Sequence, residues 1–469
     1  MNPIILTLAI FAFFTVVGYA AVLLAARRPD GSLILLAPTV GTAVVVLPTM
    51  LANYLGFPIR VVGLPLALVL LAGSAIVIAR CPRPTLPRWY ILVALALVVA
   101  LLLNARPMFV FGGDWMSFMN SDIHVYVHTA SKMFGTGFVS PPDAAAYVQQ
   151  RAMSSTFYAR DVLFNRRSGA ENVLAFWMSL LGRDGYRTYM PLIVAAHVAQ
   201  ISAATALVCG ARRGGHVPVA TSLVLACSPL MTLGLDHQLF PQVLGLALLI
   251  AALLLLCRPV PIRPIRRFLA MASLSGVVLA AHSAIYPETS PILAAAVFFF
   301  YVFAIARRAI AVPSAITWIG TTVAAAAVSL NVHITTLLQM LVLTVSFSSG
   351  AAEQSSGFPA YLIPSGLGDL FGFAAITWAD GNAIAVAIAA GAAFLVVTLV
   401  AMVVLLLRGH IVAFGLLAMA LGVPLLFVHQ NGFALYKLAM YVQPFLLPTL
   451  LSWWGEPSPA ASAVPVATS

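Results

Sequence analysis

The apolar runs of this chain are longer than a soluble core can use. Stretches 4–26, 61–79 and 382–407 contain no Asp, Glu, Lys or Arg. About 20 such residues in a helix cross the hydrocarbon layer of a bilayer. Backbone amides in lipid must find partners inside their own segment, which selects helix. A membrane barrel would alternate apolar and polar residues instead. Only 8% of the residues are charged and 62% are apolar, against roughly a quarter charged in soluble domains. A soluble enzyme, a secreted disulfide scaffold and a disordered chain are excluded. The expected class is an all-α polytopic membrane protein.

Helical spans are predicted at 4–26, 33–53, 60–79, 89–104, 189–209, 217–234, 238–257, 267–285, 290–306, 313–330, 382–407, 411–428 and 433–452, about 13 in all. Basic clusters fall on alternate connections: Arg27 and Arg28; Arg80, Arg83 and Arg88; Arg212 and Arg213; Arg258, Arg263, Arg266 and Arg267; Arg307 and Arg308; Arg408; among the short connections only Arg60 sits on the other side. The positive-inside rule puts those connections in the cytoplasm. The net charge of +11 is therefore a topology signal, and no nucleic-acid partner is expected. An odd number of spans places the N-terminus outside, and the first span is read as a retained helix.

The expected organisation is 1–104, N-terminal transmembrane helices; 105–188, an extracytoplasmic loop with amphipathic helices; and 189–330, further spans. A second extracytoplasmic loop at 331–381, spans at 382–452 and a disordered tail at 453–469 complete it. The first loop carries Asp114, Asp122, Asp143, Asp161, Glu171 and Asp184, and the second Glu353, Asp369 and Asp380. Of 13 acidic residues only Asp30 and Glu456 fall on the predicted cytoplasmic side. Carboxylates contribute little to orientation, so this bias points to chemistry at the outer face. The four cysteines, Cys81, Cys209, Cys227 and Cys257, avoid the outer loops, so no disulfide framework is expected. No internal repeat is visible.

Candidate site residues cluster in the predicted outer connections. Asp114 and Asp122 lie early in the large loop, and from Ile123 the apolar residues Ile123, Val127, Ala130 and Phe134 share one helical face. Asp122 then serves either as a helix cap or as a carboxylate held above the bilayer. His124 and His128 stand one helical turn apart, where two surface histidines or a weak metal pair are both possible readings. Asp236 and His237 occupy one short outer turn, His282 and Glu288 flank another, and His429 precedes Lys437 at the last span. Ionisable groups beside membrane spans are expensive and usually face a cavity or a partner. Lys437 is read equally as snorkelling to headgroups or as binding an anion.

The arrangement resembles the GT-C superfamily of integral-membrane glycosyltransferases. The resemblance rests on Asn120-Ser121-Asp122 running into Tyr126, and on Asp236-His237-Gln238 before Gln242-Val243-Leu244-Gly245. His282 with Tyr286-Pro287-Glu288, and Leu435-Tyr436-Lys437, complete it over roughly 105–450. The better-known members carry their catalytic loop after the first span, whereas here it follows the fourth. The resemblance implies a GT-C-like fold and a polyprenyl-phosphate-linked sugar as donor. The acceptor would be a glycan, lipid or protein, and the site the outer face of a bacterial inner membrane. It implies a general base at Asp122 or Asp114, with Tyr126, Asp236, His237, His282, Glu288, His429 and Lys437 binding substrate. A divalent metal would be a possible aid to the leaving phosphate; the cofactor is otherwise unknown. Two other classes stay open. A polysaccharide polymerase or ligase using lipid-linked sugars typically has its large loop late in the chain. A membrane transporter is expected to place charge near mid-membrane.

Overall fold

The computed structural model describes residues 2–82, 84, 86–117, 122–140, 167–209, 215–335, 337–339, 342, 366–373, 381–428 and 432–455. No strand occurs among them. The helices in chain order are α1 (Pro3–Ala26), α2 (Gly31–Leu35), α3 (Ala37–Tyr54), α4 (Ile59–Arg80), α5 (Trp89–Asn104), α6 (Arg106–Phe111) and α7 (Asp122–Gly135). Next come α8 (Gly169–Leu181), α9 (Gly185–Ala206), α10 (His216–Ala226), α11 (Pro229–Asp236), α12 (Phe240–Leu256) and α13 (Ile265–Ile285). A 3-10 turn (Pro287–Thr289) leads into α14 (Ser290–Ala306), followed by α15 (Val312–Leu330) and a second 3-10 turn (Asn331–His333). The last are α16 (Gly366–Leu370), α17 (Gly381–Leu407), α18 (Ile411–Val428), α19 (Gly432–Tyr441) and α20 (Gln443–Trp454).

The chain is a polytopic integral membrane protein, but its spans are not uniform rods. Among the described residues, seven helices are long and apolar enough to cross a membrane, or eight if α10 and α11, bent by 50°, count as one. This is fewer than the thirteen expected from hydropathy, although every expected stretch contains helix. Trp89–Asn104 and Phe240–Leu256 are shorter apolar helices. The stretch 33–53 is interrupted at Leu36, 217–234 at Cys227–Ser228 and 433–452 at Val442. Each interruption precedes a proline, at Pro38, Pro229 or Pro444. Proline lacks the amide that would continue the preceding helix and suits the first turn of a new one. The predicted start of the span at 189 also moves, because Asp184 caps α9 by accepting from the Arg187 amide at 3.0 Å.

The centre of the bundle is α9 and α12. All of α12 and nearly all of α9 are buried, whereas α4 and α17 expose Leu, Val and Ile along much of their length. Lipid-facing helices must be apolar all round, while an interior helix can carry His197, Gln200, Ser202 and Thr205. The Leu256 carbonyl at the end of α12 accepts from Tyr301 Oη at 2.8 Å and Trp318 Nε1 at 3.0 Å. Terminal carbonyls that water cannot reach require such partners.

Two clasps define the ends of the bundle. At one end Arg258 donates to Asp30 and to Ser32, the latter at 3.0 Å, joining two of the basic connections. At the other, Asn53 Nδ2 donates to the carbonyls of Phe57, Met133 and Thr136 at 3.1, 3.2 and 3.0 Å. The amide of Phe138 returns a bond to the Asn53 carbonyl at 2.9 Å. Asn53 therefore locks the C-terminal end of α7 over the turn between α3 and α4. This second end is the one the charge pattern predicts to be extracytoplasmic.

Candidate functional site

The site grows from the first turn of α7. Residues Ile123, Val127 and Ala130 are buried, as their spacing predicts, in a helix packed on α8. That orientation leaves Asp122 and Tyr126 together on a half-buried face, where Tyr126 Oη donates to Asp122 Oδ2 at 3.4 Å. Burial and the Asp122 charge raise the Tyr126 phenol well above its ordinary value, with Glu171 adding and Arg167 opposing. The phenol therefore remains a proton donor at physiological pH. Its ring lies parallel to that of Tyr189, centroids 6.5 Å apart.

Tyr189 continues the chain of contacts, donating its hydroxyl to the Gln238 carbonyl at 2.5 Å. Gln238 has φ +56, a left-handed conformation costly for a residue with a Cβ. Its fully buried side chain donates to the Trp115 carbonyl and accepts from the Ser117 amide, both at 2.9 Å. The turn after α11 thus holds Trp115 and Ser117, just beyond Asp114.

A cation lies within electrostatic reach of Tyr126. Arg167, just before α8, pairs with Glu288 and lies over the Tyr286 ring at 4.8 Å from its centroid. Tyr286 in turn hydrogen-bonds Tyr441 Oη. Two glycines permit this approach. A Cβ on Gly169 would sit 2.7 Å from the Ala284 carbonyl oxygen, and one on Gly245 would sit 2.1 Å from the Tyr286 Cβ. Backbone and ring occupy those volumes, so no larger residue fits without displacement. Glu171, in the first turn of α8, is buried within electrostatic reach of Tyr126 and Tyr189.

The sequence candidates therefore divide. Asp122, Tyr126 and Glu288 belong to one cluster through Tyr126, Arg167 and Tyr286. His282 lies beneath it, fully buried, with Nε2 2.9 Å from Thr289 Oγ1. That position makes it a brace of the turn before α14. His237 lies near the Tyr436 ring, centroids 6.4 Å apart; Asp236 on α11 and Lys437 on α19 are the chain neighbours of that pair. Burial lowers the His237 imidazole below its ordinary value and favours the neutral ring. Asp114 is exposed beside Gly113, which abuts Pro3 of α1, and no described contact joins it to Asp122. His429 lies outside the described residues, as do Asn120, Ser121, Asp143, Asp161, Glu353, Asp380 and the tail from Glu456.

The His124–His128 pair is bridged by a tyrosine. Tyr186 Oη stands 2.8 Å from His124 Nδ1 and 3.5 Å from His128 Nε2. Burial, helped by His124, lowers His128 below its ordinary value. Among the described residues no group of three or more His, Cys, Asp or Glu side chains is placed to hold a metal ion.

Sequence reasoning did not single out Arg167, Glu171, Tyr189, Gln238 or Tyr441 as site residues. Gln238 adjoins Asp236 and His237, a signal that was available. Arg167 is one of seven loop arginines between 105 and 188, and nothing local distinguishes it. Comparison with protein-family models, curated protein sequences and solved structures finds no match to the chain.

Proposed function

We propose that the protein is a GT-C-like glycosyltransferase of a bacterial inner membrane, with about 13 spans and its N-terminus outside. It transfers a sugar from a polyprenyl-phosphate donor to a hydroxyl of a glycan, lipid or protein acceptor at the extracytoplasmic face. The observation that carries this reading is the pairing of opposite functions around Tyr126. The Asp122 carboxylate accepts from Tyr126 Oη, and the Arg167 guanidinium lies within electrostatic reach of the same phenol.

The chemistry requires both. An acceptor hydroxyl is a poor nucleophile until a base takes its proton. As its oxygen bonds to the anomeric carbon, the bond from that carbon to the phosphate oxygen breaks. The electron pair leaves with the polyprenyl phosphate. Asp122 takes the proton, Tyr126 orients Asp122, and Arg167 with Lys437 stabilises the growing phosphate charge. The lipid tail remains among the apolar helices, and membrane lipids surround α4 and α17.

The test is release of polyprenyl phosphate from polyprenyl-phosphate sugars by the purified protein. Asp122→Asn should retain folding and donor binding while turnover falls roughly 10²–10⁴-fold. Asp114→Asn should stay near wild type. The reverse pattern moves the base to Asp114, and full activity in both variants removes the carboxylate mechanism.

A further inference from the structure

The Asn53 clasp gathers an apolar face at its end of the bundle. Tyr54, the last residue of α3, stacks its ring on Phe138 beyond α7 and meets the His333 ring edge-on, centroids 6.1 and 5.4 Å apart. A Cβ on Gly137 would stand 2.5 Å from the Gly56 Cα, so the two backbones touch. The α3–α4 turn, the chain after α7 and the 3-10 turn after α15 thus share one corner.

What this corner turns outward is apolar. Leu55, Phe57, Val139 and Val332 are 64%, 53%, 60% and 44% exposed. Stretches 53–59, 136–140 and 331–335 hold no Asp, Glu, Lys or Arg. The irregular backbone here is also satisfied from within. The carbonyls of Phe57, Met133 and Thr136 accept from Asn53 Nδ2, and the Phe138 amide donates to the Asn53 carbonyl. Surroundings without water impose that requirement, whereas a wet turn can leave such groups to solvent.

The face is continuous with the lipid-facing surface. Val61, Leu64 and Leu68 form an exposed stripe on α4, and Phe57 stands four residues before its first member. Val328, exposed on α15, lies one helical turn before Val332. Arg60, exposed in the first turn of α4, is a cation beside this stripe, where lipid phosphates supply the counter-charge.

We propose that this corner lies in the headgroup–acyl boundary of the leaflet at its end of the bundle, with phospholipid as its occupant. Such interfacial burial is driven by apolar area and aided by basic side chains. The proposal does not depend on the glycosyltransferase reading. Its consequence is positional, because Asn53 joins the corner to the C-terminal end of α7. That helix has 14 residues and is about 21 Å long at 1.5 Å per residue. The Asp122 carboxylate at its other end is therefore kept within roughly that distance of the membrane surface.

The test is photolabelling of the intact protein in phosphatidylcholine liposomes, with modified residues located by peptide mass spectrometry. Trace phosphatidylcholine carries a diazirine either beside the acyl ester or at the chain terminus, and a water-soluble diazirine is used in parallel. The shallow lipid probe should label Leu55, Phe57 and Val139 several-fold more than either other reagent. Leu68, farther along α4, should favour the chain-terminal probe. Labelling of Phe57 and Val139 chiefly by the water-soluble reagent overturns the proposal, and a preference for the chain-terminal probe there overturns the boundary position. Labelling by none of the three also overturns it, since protein rather than lipid would then cover the face.

Discussion

Arg167 and Glu288 form an ion pair between two segments more than a hundred residues apart, with the Tyr286 ring beneath the guanidinium. Both side chains are mostly buried, 20% and 26% exposed, so solvent screens the pair less than a surface bridge. Through it the end of the large loop is tied to the turn before α14. The same cation lies within electrostatic reach of Tyr126, so positioning and electrostatics rest on one residue.

Breaking this pair should destabilise the fold measurably. Arg167→Gln and Glu288→Gln should each cost about 1–3 kcal/mol, the range for leaving a buried polar group short of its partner. The double variant should cost less than the sum, since each single change already removes the pair. Thermal unfolding of the three variants checks this, and strict additivity would show that the two side chains act independently.

Lys437 separates headgroup snorkelling from phosphate binding. Lys437→Gln should weaken binding of a polyprenyl-phosphate sugar and slow turnover, while Lys437→Arg restores part of each because the charge survives in altered geometry. Direct measurement of donor affinity decides between them. Wild-type affinity in Lys437→Gln would assign the side chain to the headgroups.

Asn53 bonds three carbonyls with one amide. Asn53→Ala should lower stability by about 1–3 kcal/mol, because buried acceptors lose their donor. The loss should be local as well as global. Limited proteolysis after α7 should accelerate more in this variant than in Arg167→Gln, and equal protection in the two would separate Asn53 from the anchoring of that helix.

Asp30 gives the fold a pH dependence at the opposite end. Its burial alone would raise the carboxyl, but the Arg258 guanidinium, the Ser32 hydroxyl and the Leu33 amide outweigh it and hold it below its ordinary value. A carboxyl lowered in the folded state adds stability above its unfolded value, near pH 4, and loses it as pH falls through the folded value. Tm should therefore fall between about pH 5 and pH 3 more steeply in the wild type than in Asp30→Asn, which retains a capping oxygen. The difference should shrink in high salt, as expected of a half-exposed pair. Parallel pH profiles for the two proteins would remove Asp30 from the acid response.

Much of the site's local geometry was legible before its assembly. The spacing of Ile123, Val127 and Ala130 predicts which side of α7 is buried, and so places Asp122 and Tyr126 on the free side. Asp236-His237-Gln238 stands out as a polar turn between apolar helices. Its third residue, Gln238, makes the contacts that hold Trp115 and Ser117. By contrast, Arg167 and Glu171 carry no local mark. Asp369 reads as part of an outer loop, although it is packed into the bundle beside α17.

The sequence by itself determined an all-helical membrane protein, the alternation of basic connections and the amphipathic helix of the large loop. These follow from hydropathy, charge and helical period, which act along short stretches of chain and need no knowledge of neighbours. Only the tertiary structure decided that Gly245 makes room for Tyr286, that Arg167 reaches Glu288, and that Ser228 and the Leu370 carbonyl meet at Gln443. The reason is physical. In a bilayer the outside of the bundle is as apolar as much of its interior, so hydropathy reports insertion but says little about which helices touch. The contacts that build a site are set by close packing and by hydrogen bonds that lipid cannot satisfy, and those join residues a hundred or more positions apart.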